Sequence, residues 1–309
     1  MNILVTGGLG HIGSRLIRDF AKRSDIEKVK ILDNLSTQRY SSLFNLPKNI
    51  KYEFIEGDIL NDNDLNMAIN GCDVVIHLAA ITNAPESFGM KDEVNKVNVN
   101  GTEKVVQAAL KHRVKKLIYP STTSVYGPIN GIAREDCQDE DLKPQSPYAE
   151  TKLMGEKIVL KAAKENGLNS TVIRCGTIFG TSPGMRFHTV VNKFVFLACK
   201  GDPLTVWDTA INQKRPYLDL RDCIRAINFM IDSEKTKGEL FNVVTINATV
   251  QEIVDAIKEF IPGVKIKITK TPLLNQVSYV TDGTKLINMG FKYEGNLKEA
   301  VRKTVDLLK

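Results

Sequence analysis

Tyr148 and Lys152 are two residues whose types and spacing could move a proton. A separation of four positions puts them on one face of a helix, about 40° apart around its axis. A lysine ammonium there can lower the pKa of the tyrosine from about 10 toward neutral, so that the phenolate acts as a general base on a hydroxyl. Ordinary surface pairs have the same spacing, so the spacing alone leaves both interpretations open.

A run of hydroxyl residues, Ser121-Thr122-Thr123-Ser124, follows an apolar stretch that ends at Tyr119. Parallel α/β sheets bind their ligands at the carboxyl ends of the strands, where this run is predicted to lie. A hydroxyl at that edge could hold the same substrate oxygen as Tyr148. Such runs are also common in turns, so this prediction depends on the rest of the fold.

The first apolar stretch leads into Thr6-Gly7-Gly8-Leu9-Gly10-His11-Ile12-Gly13 and then into a helical pattern. Glycine allows a tight turn and a close approach to a diphosphate, and the N–H groups at a helix N-terminus bind anions. Asp33 lies at the end of the second predicted strand, at the distance beyond the glycines that is typical of a dinucleotide fingerprint. These features predict a dinucleotide site.

Asp33 favours NAD as the cofactor, because its carboxylate can accept both ribose hydroxyls and would repel the 2′-phosphate of NADP. Arg39 is close enough in sequence to bind such a phosphate, which leaves NADP as the alternative. His11 is expected to be a spacer that faces solvent rather than a catalytic group.

Apolar runs alternate with helical patterns in the first part of the chain, which predicts repeated βαβ units. The fold class we expect is α/β, a Rossmann-type doubly wound parallel sheet in the order 3-2-1-4-5-6 with a smaller mixed C-terminal substrate domain. We place the NAD-binding domain at residues 1–176 and the substrate domain mainly at 177–309, with a strand near 239–244 that returns to the sheet. The predicted strands are 3–6, 29–33, 52–55, 74–78, 116–119 and 170–174. The predicted helices are 12–22, 65–70, 94–112, 148–166, 187–199, 220–231, 250–260 and 298–308.

Composition excludes several classes of protein. Hydrophobic residues make up 42% of the chain and charged residues 25%, as in globular proteins, and no stretch approaches the ~18 apolar residues of a membrane span. The N-terminus has no export signal, so we expect a cytoplasmic protein without membrane partners. Five scattered cysteines predict reduced thiols and no metal site. Basic residues are interspersed with acidic ones, which argues against nucleic acid as a partner despite the net charge of +6.

Taken together, these motifs resemble the extended short-chain dehydrogenase/reductase superfamily, in its NAD-dependent sugar-nucleotide epimerase/dehydratase family, of the UDP-glucose 4-epimerase-like kind. The resemblance covers most of the chain. Besides the motifs above, it rests on His77-Leu78-Ala79-Ala80, Gly57-Asp58-Ile59, Asn98-Val99-Asn100-Gly101-Thr102, the segment from Gln213 to Asp222, and Asn288-Met289-Gly290-Phe291.

The resemblance implies a role for each matching residue. Thr122, Tyr148 and Lys152 take the places of the catalytic Ser/Thr, the general base and the residue that binds the nicotinamide ribose. The residues expected to bind NAD are Gly7, Gly10, His11, Ile12, Gly13, Asp33, Asn34, Asp58, Ile59, Leu78, Ala79, Ala80, Asn98, Tyr148 and Lys152. The residues expected to bind a nucleotide-diphosphate sugar are Thr122, Thr123, Thr177, Arg186 and Arg215, of which Arg215 would hold the diphosphate. Alternatively, His77 and Asn98 satisfy hydrogen bonds of the core, and Arg215 is a surface charge. A homodimer through 94–112 and 148–166 is also implied.

The reaction follows from two positions after Thr122. Dehydratases of the family carry an Asp-Glu pair there and decarboxylating relatives keep the Glu, whereas this chain has Thr123 and Ser124. The resemblance therefore implies a UDP-hexose 4-epimerase in which Tyr148 takes the 4-hydroxyl proton, the C4 hydride passes to NAD⁺, and it returns to the other face of the 4-ketosugar. The alternatives are a sugar-nucleotide 4-dehydrogenase/reductase or dehydratase of the same family and, outside enzymes, a dinucleotide-binding redox sensor or scaffold.

The chain departs from the pattern of the family epimerases at two places. Thr177 stands where they have an Asn after the sixth strand, and the segment from Thr271 to Gln276 lacks the usual arginine before Asp282-Gly283-Thr284-Lys285. Two features could replace these phosphate and base contacts: the segment from Ser182 to Phe187, and Trp207. Alternatively, they are ordinary loop and core residues.

Overall fold

A seven-stranded parallel sheet dominates the part of the chain that this computed structural model describes, residues 1–129, 131–270 and 279–309. The order across it is β3-β2-β1-β4-β5-β7-β11, which confirms the predicted doubly wound order and adds one strand at the far edge. Nearly every residue of β1, β4, β5 and β7 is buried, as expected for strands that have helices on both faces. The strands of this sheet are β1 Asn2–Thr6, β2 Lys28–Asp33, β3 Lys51–Glu56, β4 Val74–His77, β5 Lys116–Thr122, β7 Ser170–Cys175 and β11 Glu239–Val243.

Smaller sheets are formed mainly by the second half of the chain. One has the order β12-β10-β8, and two others pair β13 with β9 and β14 with β6. Their strands are β6 Ile132–Ala133, β8 Thr177–Phe179, β9 Leu204–Trp207, β10 Lys214–Asp219, β12 Ile246–Thr249, β13 Ile266–Thr269 and β14 Val280–Thr281. The strand that we expected near 239–244 is β11, which pairs in parallel with β7 in the main sheet. The domain boundary at residue 176 stays a prediction.

Most helices begin and end close to where the sequence predicts them, whereas α9 was not predicted. They are α1 His11–Asp19, α2 Asp62–Ile69, α3 Lys91–Asn95, α4 Gly101–Lys111, α5 Pro147–Asn166, α6 Val190–Lys200, α7 Leu220–Asp232, α8 Val250–Lys258, α9 Thr284–Asn288 and α10 Leu297–Leu308. Helix α5 shows why the prediction works: Ser146 caps its N-terminus, Pro147 occupies its first turn, and Gly167 ends it in the left-handed region at φ 71°. None of the helices in the described residues combines the length and apolar character that crossing a bilayer requires.

One helix prediction was wrong in detail. The stretch 94–112 is not one α-helix, because a π-helical turn, Lys96–Asn100, separates α3 from α4. The turn contains Asn98, whose side chain bonds to the backbone of Ile81, so the irregular turn coincides with a contact to a distant segment.

The hydrophobic core has three main parts. Two lie on opposite faces of the main sheet, one against α1 and α7 and the other against α2, α4 and α5. The third joins α6, α8 and α10 with the smaller sheets. At its carboxyl end, β7 is followed after one residue by β8 of a smaller sheet, so this edge of the main sheet adjoins the smaller sheets.

Candidate active site

A cavity of about 440 Å³ lies at the carboxyl edge of the main sheet. Most residues that the sequence predicted for the site line it. On the cofactor side these are Gly7, Gly10, His11, Ile12, Gly13, Asp33, Asn34, Asp58, Ile59, Leu78, Ala79, Ala80, Tyr148 and Lys152. On the substrate side these are Thr122, Thr177 and Arg186. The topology thus brings residues from most of the chain to one cavity.

The glycine loop between β1 and α1 has the close packing that a bound diphosphate needs. Gly7 has a φ of 65°, and a Cβ on it would lie 2.6 Å from the backbone nitrogen of Ala79. A Cβ on Gly13 would lie 2.6 Å from the Gly8 carbonyl oxygen. Helix α1 starts at Gly10 without a side-chain cap, so its first N–H groups can receive an anion.

Asp33 lies at the end of β2 beside this loop. Its carboxylate accepts hydrogen bonds from the backbone N–H groups of Leu9, at 3.0 Å, and Leu35, at 3.1 Å. A carboxylate offers about four lone-pair sites, so acceptor capacity remains for ribose hydroxyls. Asn34 donates to Asp58 at 3.0 Å, which joins the neighbouring cavity residues. Loop, helix terminus and carboxylate together fit a dinucleotide such as NAD.

His11 corrects a sequence-based expectation. It does not face solvent: it is buried, and its Nε2 lies 2.8 Å from the carbonyl oxygen of Gly180. Burial lowers its pKa to about 4, so the ring is neutral and Nε2–H donates this bond. The reason is that residues after β8 pack onto the glycine loop, which no local pattern around His11 reveals.

Asn98 was predicted to bind the cofactor, but its side chain does not line the cavity. Its amide oxygen accepts from the N–H of Ile81 at 2.8 Å, and its amide nitrogen donates to the Ile81 carbonyl and to Thr151 Oγ1. Asn98 therefore holds a segment of the cavity wall against α5, because all of these groups are buried and need partners.

His77 belongs to the core beneath the cavity, as the alternative interpretation of the sequence held. Thr102 Oγ1 donates its proton to the Asn98 carbonyl, so it can only accept from His77, whose Nε2–H donates at 3.1 Å. His77 Nδ1 is then unprotonated and accepts from Thr6 Oγ1 at 2.8 Å. Complete burial lowers the pKa of His77 to about 3. A neutral histidine thus connects β1 and α4 below the glycine loop.

Thr122, Tyr148 and Lys152 come together from β5 and the start of α5. Ser146 Oγ accepts from the N–H of Ala149, and the N–H of Tyr148 donates to Ser87 Oγ at 3.3 Å, which orients the first turn. Lys152 Nζ lies 3.9 Å from the centroid of the Tyr119 ring, and the structure gives it no hydrogen-bond partner among the described residues. Its ammonium is available to a ligand in the cavity.

The pKa values of this group differ from the expectation. Burial raises the pKa of Tyr148 to about 12, although a hydrogen bond with Thr122 and the positive charge of Arg186 both oppose this shift. Burial also lowers the pKa of Lys152 to about 7, against the attraction of Glu156. Lys152 is not among the groups that shift the pKa of Tyr148 in this structure, so the idea that Lys152 brings this pKa toward neutral stays a prediction.

Glu156 and Arg174 form a buried ion pair that the sequence analysis missed. Arg174 Nη2 lies 2.7 Å from Glu156 Oε2, and the two side chains are only 4% and 2% exposed. Ser121, next to Thr122, donates to the same carboxylate, and the Arg174 guanidinium lies over the Tyr126 ring. The sequence carried no signal for this pair, because a charged residue four positions after Lys152 on a helix is also what an exposed face has.

The remaining predicted substrate residues lie apart from the cavity wall. Thr123 is buried behind it, where its hydroxyl accepts from the phenol of Tyr279 at 3.5 Å. Arg215, on β10, has its guanidinium 5.0 Å from the centroid of the Tyr279 ring and does not line the cavity. Trp207 ends β9, also outside the cavity lining. The segment from Thr271 to Gln276 lies outside the described residues.

Metal chemistry has no support from the side chains that the structure describes. Across residues 1–129, 131–270 and 279–309, no group of three His, Cys, Asp or Glu side chains is arranged to hold an ion. The five cysteines are free thiols.

Comparisons with known proteins agree with this geometry. An uncharacterized UDP-glucose epimerase of Bacillus subtilis is 30% identical over 250 residues, which cover 79% of this chain and 76% of that protein. A trifunctional UDP-glucose 4,6-dehydratase/UDP-4-keto-6-deoxy-D-glucose 3,5-epimerase/UDP-4-keto-L-rhamnose-reductase of Arabidopsis thaliana is 28% identical over 323 residues, covering 99% of this chain but 46% of its own length. This chain spans about half of that relative.

A solved structure is similar over the whole chain. The UDP-glucuronic acid 4-epimerase from Bacillus cereus, in complex with UDP-glucuronic acid and NAD, is 27% identical and superposes with a TM-score of 0.87, covering 100% of this chain and 99% of that one. The model of the NAD-dependent epimerase/dehydratase family matches residues 3–244. NAD is the cofactor of this family and of its solved relatives, as Asp33 predicted. The chain belongs to the NAD-dependent epimerase/dehydratase family.

Proposed function

We propose that this protein is a NAD-dependent 4-epimerase of a UDP-hexose. The observation that carries the proposal is the absence of carboxylates at positions 123 and 124, directly after Thr122. Thr122 Oγ1 lies 3.2 Å from Ser124 Oγ, and both residues line the cavity. Eliminating water from a sugar needs an acid and a base at neighbouring carbons, and alcohol side chains are weak in both roles. The carboxylates that do line the cavity, Asp33, Asp58 and Glu93, come from other elements.

The proton chemistry belongs to Tyr148 and Thr122. Both hydroxyls line the cavity, and the Thr122 hydroxyl lowers the pKa of Tyr148, so the two groups can bind one sugar oxygen together. Tyr148 removes the proton of the 4-hydroxyl when the ring is oxidised and returns it when the ring is reduced. Bound NAD supplies the acceptor of the C4 hydride and gives the hydride back.

Nearby positive charges must act on Tyr148, because burial holds its pKa at about 12 and the phenol is protonated at neutral pH. Arg186 lines the cavity and lowers this pKa, and Lys152 lies one turn along α5. We infer that Lys152 binds the nicotinamide ribose and contributes its charge to the site, as in the resembling enzymes. Because burial lowers the pKa of Lys152 to about 7, this charge is partly lost above neutral pH.

UDP is the nucleotide that we propose for the substrate. This choice rests on relatives whose names include UDP-glucose and UDP-glucuronic acid. Thr177 is the cavity residue that we assign to the substrate side. The role of Arg215 at the substrate diphosphate stays a prediction.

The test is turnover of UDP-glucose carrying deuterium at C4, followed by NMR. A 4-epimerase that keeps its cofactor gives UDP-galactose with the label still at C4. Loss of the label to free NADH would show a net oxidoreductase, and a 4-keto-6-deoxy product would show a dehydratase; either result contradicts the proposal. A panel of other UDP-hexoses, including uronic acids, covers the choice of sugar.

Tyr148→Phe is the matched variant, since it removes only the hydroxyl. We expect its turnover to fall by about a hundredfold or more, the usual size of general acid–base catalysis. Tyr40→Phe serves as the control: Tyr40 is exposed and does not line the cavity. Equal turnover by Tyr148→Phe and the unchanged protein would refute the mechanism.

A further inference from the structure

Two arginines that the proposed reaction does not fully use face the cavity from opposite halves of the chain. Arg39 follows β2, and Arg186 lies between β8 and α6. Arg186 donates one hydrogen bond, to Thr82 Oγ1, and its Nε is buried without a partner. No ion pair of Arg186 exists among the described residues. Arg39 has the Asp33 carboxylate in its vicinity.

This arrangement is unfavourable without an anion. A buried guanidinium loses its hydration and normally has a carboxylate or phosphate as its partner. Here the charge of Arg39 acts on Arg186 as repulsion, and burial together with this repulsion lowers the Arg186 pKa to about 10. The cavity therefore concentrates positive charge for a ligand with more than one negative charge.

The packing around Arg186 locates that ligand at the glycine loop. Ser182 Oγ donates to the His11 carbonyl at 2.8 Å, and the N–H of Gly184 donates to Ser14 Oγ at 3.0 Å. A Cβ on Gly184 would lie 2.7 Å from the carbonyl oxygen of Gly10. The segment that carries Arg186 is thus held directly on the loop whose N–H groups bind an anion.

Arg39 approaches the same loop from the other side. Its Nη1 lies 3.9 Å from the position that a Cβ on Gly10 would occupy. The neighbouring Ser41 Oγ donates to the carbonyl of Pro183 at 3.4 Å, so the two arginine-bearing segments touch. The charges of Arg39 and Arg186 both act on His11, the first residue of α1, so both guanidinium groups lie near the N-terminus of this helix.

We propose that Arg39 and Arg186 clamp the diphosphate of bound NAD from two sides and thereby slow the release of the cofactor. Arg186 then belongs to the cofactor rather than to the substrate diphosphate. A guanidinium suits this task, because its planar donors can make paired hydrogen bonds to phosphate oxygens. The inference depends on the NAD dependence of the family and is independent of which sugar is converted.

The experiment measures binding, not turnover. The full-length protein, freed of cofactor, is loaded with NADH, and the release rate is followed by fluorescence after excess NAD⁺ is added, at several salt concentrations. The affinities for ADP-ribose and for UDP are measured alongside. The variants are Arg39→Met, Arg186→Met and Arg186→Lys, and the control is Arg302→Met, an exposed residue of α10 paired with Asp306.

We expect Arg39→Met and Arg186→Met each to speed NADH release by about ten- to a hundredfold, as for the loss of a charge-assisted hydrogen bond. ADP-ribose affinity should fall in parallel, the salt dependence of release should become shallower, and UDP affinity should stay unchanged. Arg186→Lys should be intermediate, and Arg302→Met should match the unchanged protein.

Two results would overturn the clamp. Unchanged NADH release with weakened UDP binding would assign Arg186 to the substrate, and unchanged affinity for every ligand would remove both arginines from diphosphate binding. Thermal unfolding without ligand guards against misfolding: Arg186→Met should unfold at the same temperature or higher, since it removes a half-buried charge that has no ion-pair partner among the described residues. Neither result bears on whether the protein epimerises C4.

Discussion

Replacing Glu156 by Gln is expected to cost more stability than any other single change of similar size in this chain. The substitution keeps the volume but leaves the Arg174 guanidinium charged and buried. In the structure Arg174 Nη2 lies 2.7 Å and its Nε 3.1 Å from the carboxylate, and the side chains are 4% and 2% exposed. Removing one partner of such a pair costs about 3–5 kcal/mol.

The loss in free energy of unfolding should depend on whether the charge of Arg174 is still present. Since domains have free energies of unfolding of about 5–15 kcal/mol, a loss of about 3–5 kcal/mol is a fifth or more of the total. Glu156→Leu combined with Arg174→Met removes both charges and fills similar volume, a change that is often neutral for buried pairs. We therefore expect the double variant to recover most of the loss, so that its change in free energy of unfolding is far smaller than the sum of the two single changes.

Urea unfolding followed by circular dichroism gives the free energies for this double-mutant cycle. Fluorescence of Trp207, the single tryptophan, reports separately on β9 and the second half of the chain. Agreement of the two probes is needed before the numbers are compared. A loss below about 1 kcal/mol for Glu156→Gln, or a double variant as unstable as the sum of its parts, would refute the reasoning.

Three further changes have expected outcomes. Lys152→Met should raise the melting temperature at pH 7 while ending turnover. The pKa of Lys152 is about 7 in the folded protein and 10.5 in the unfolded chain, so the unfolded chain binds more protons between these pH values and the stability of the unchanged protein rises with pH there. The gain in melting temperature from Met should therefore shrink toward pH 10.5. His77→Gln should reduce the acid sensitivity of folding, because a histidine with a pKa of about 3 instead of 6.5 makes stability fall as pH drops below 6.5; equal slopes of melting temperature against pH would contradict this. Gly184→Ala should cost about 1–3 kcal/mol and weaken NADH binding, since its Cβ meets the Leu9 and Gly10 carbonyls, whereas Gly89→Ala, which meets nothing within 4 Å, should change neither measurement.

Much of the fold could be predicted because its elements carry strong local signals. Strand β4 begins with the continuous apolar run Val74-Val75-Ile76, and α5 has a Ser cap, a first-turn proline and a terminal glycine. The doubly wound order then followed from the alternation of strands and helices. The π turn at Asn98 could not be predicted, because the side chain of Asn98 bonds to the backbone of Ile81, 17 positions away.

The site was predictable where topology alone brings residues together. Gly7, Asp33, Thr122 and Tyr148 follow carboxyl ends of strands or begin helices, and all line the cavity. The surroundings of His11 were not predictable, because its partner, Gly180, is 169 positions away. The Glu156–Arg174 pair joins a helix to the following strand, and neither residue has a local pattern that distinguishes it from a surface charge.

The Tyr148–Lys152 motif and the charges that act on its pKa values lie in different parts of the site. Burial acts in opposite directions on the Tyr148 and Lys152 side chains, raising the pKa of Tyr148 and lowering that of Lys152, so both shifts favour the uncharged forms. Each shift is opposed by a charge from outside the motif, Arg186 for Tyr148 and Glu156 for Lys152. Arg186 lies on a loop held by the glycine motif, and Glu156 is held by Arg174 at the end of β7. The reactivity of the Tyr148–Lys152 pair therefore depends on tertiary contacts that the spacing of the pair does not encode. A chain with the same motif but without the charges of Arg186 and Glu156 should have a less reactive tyrosine.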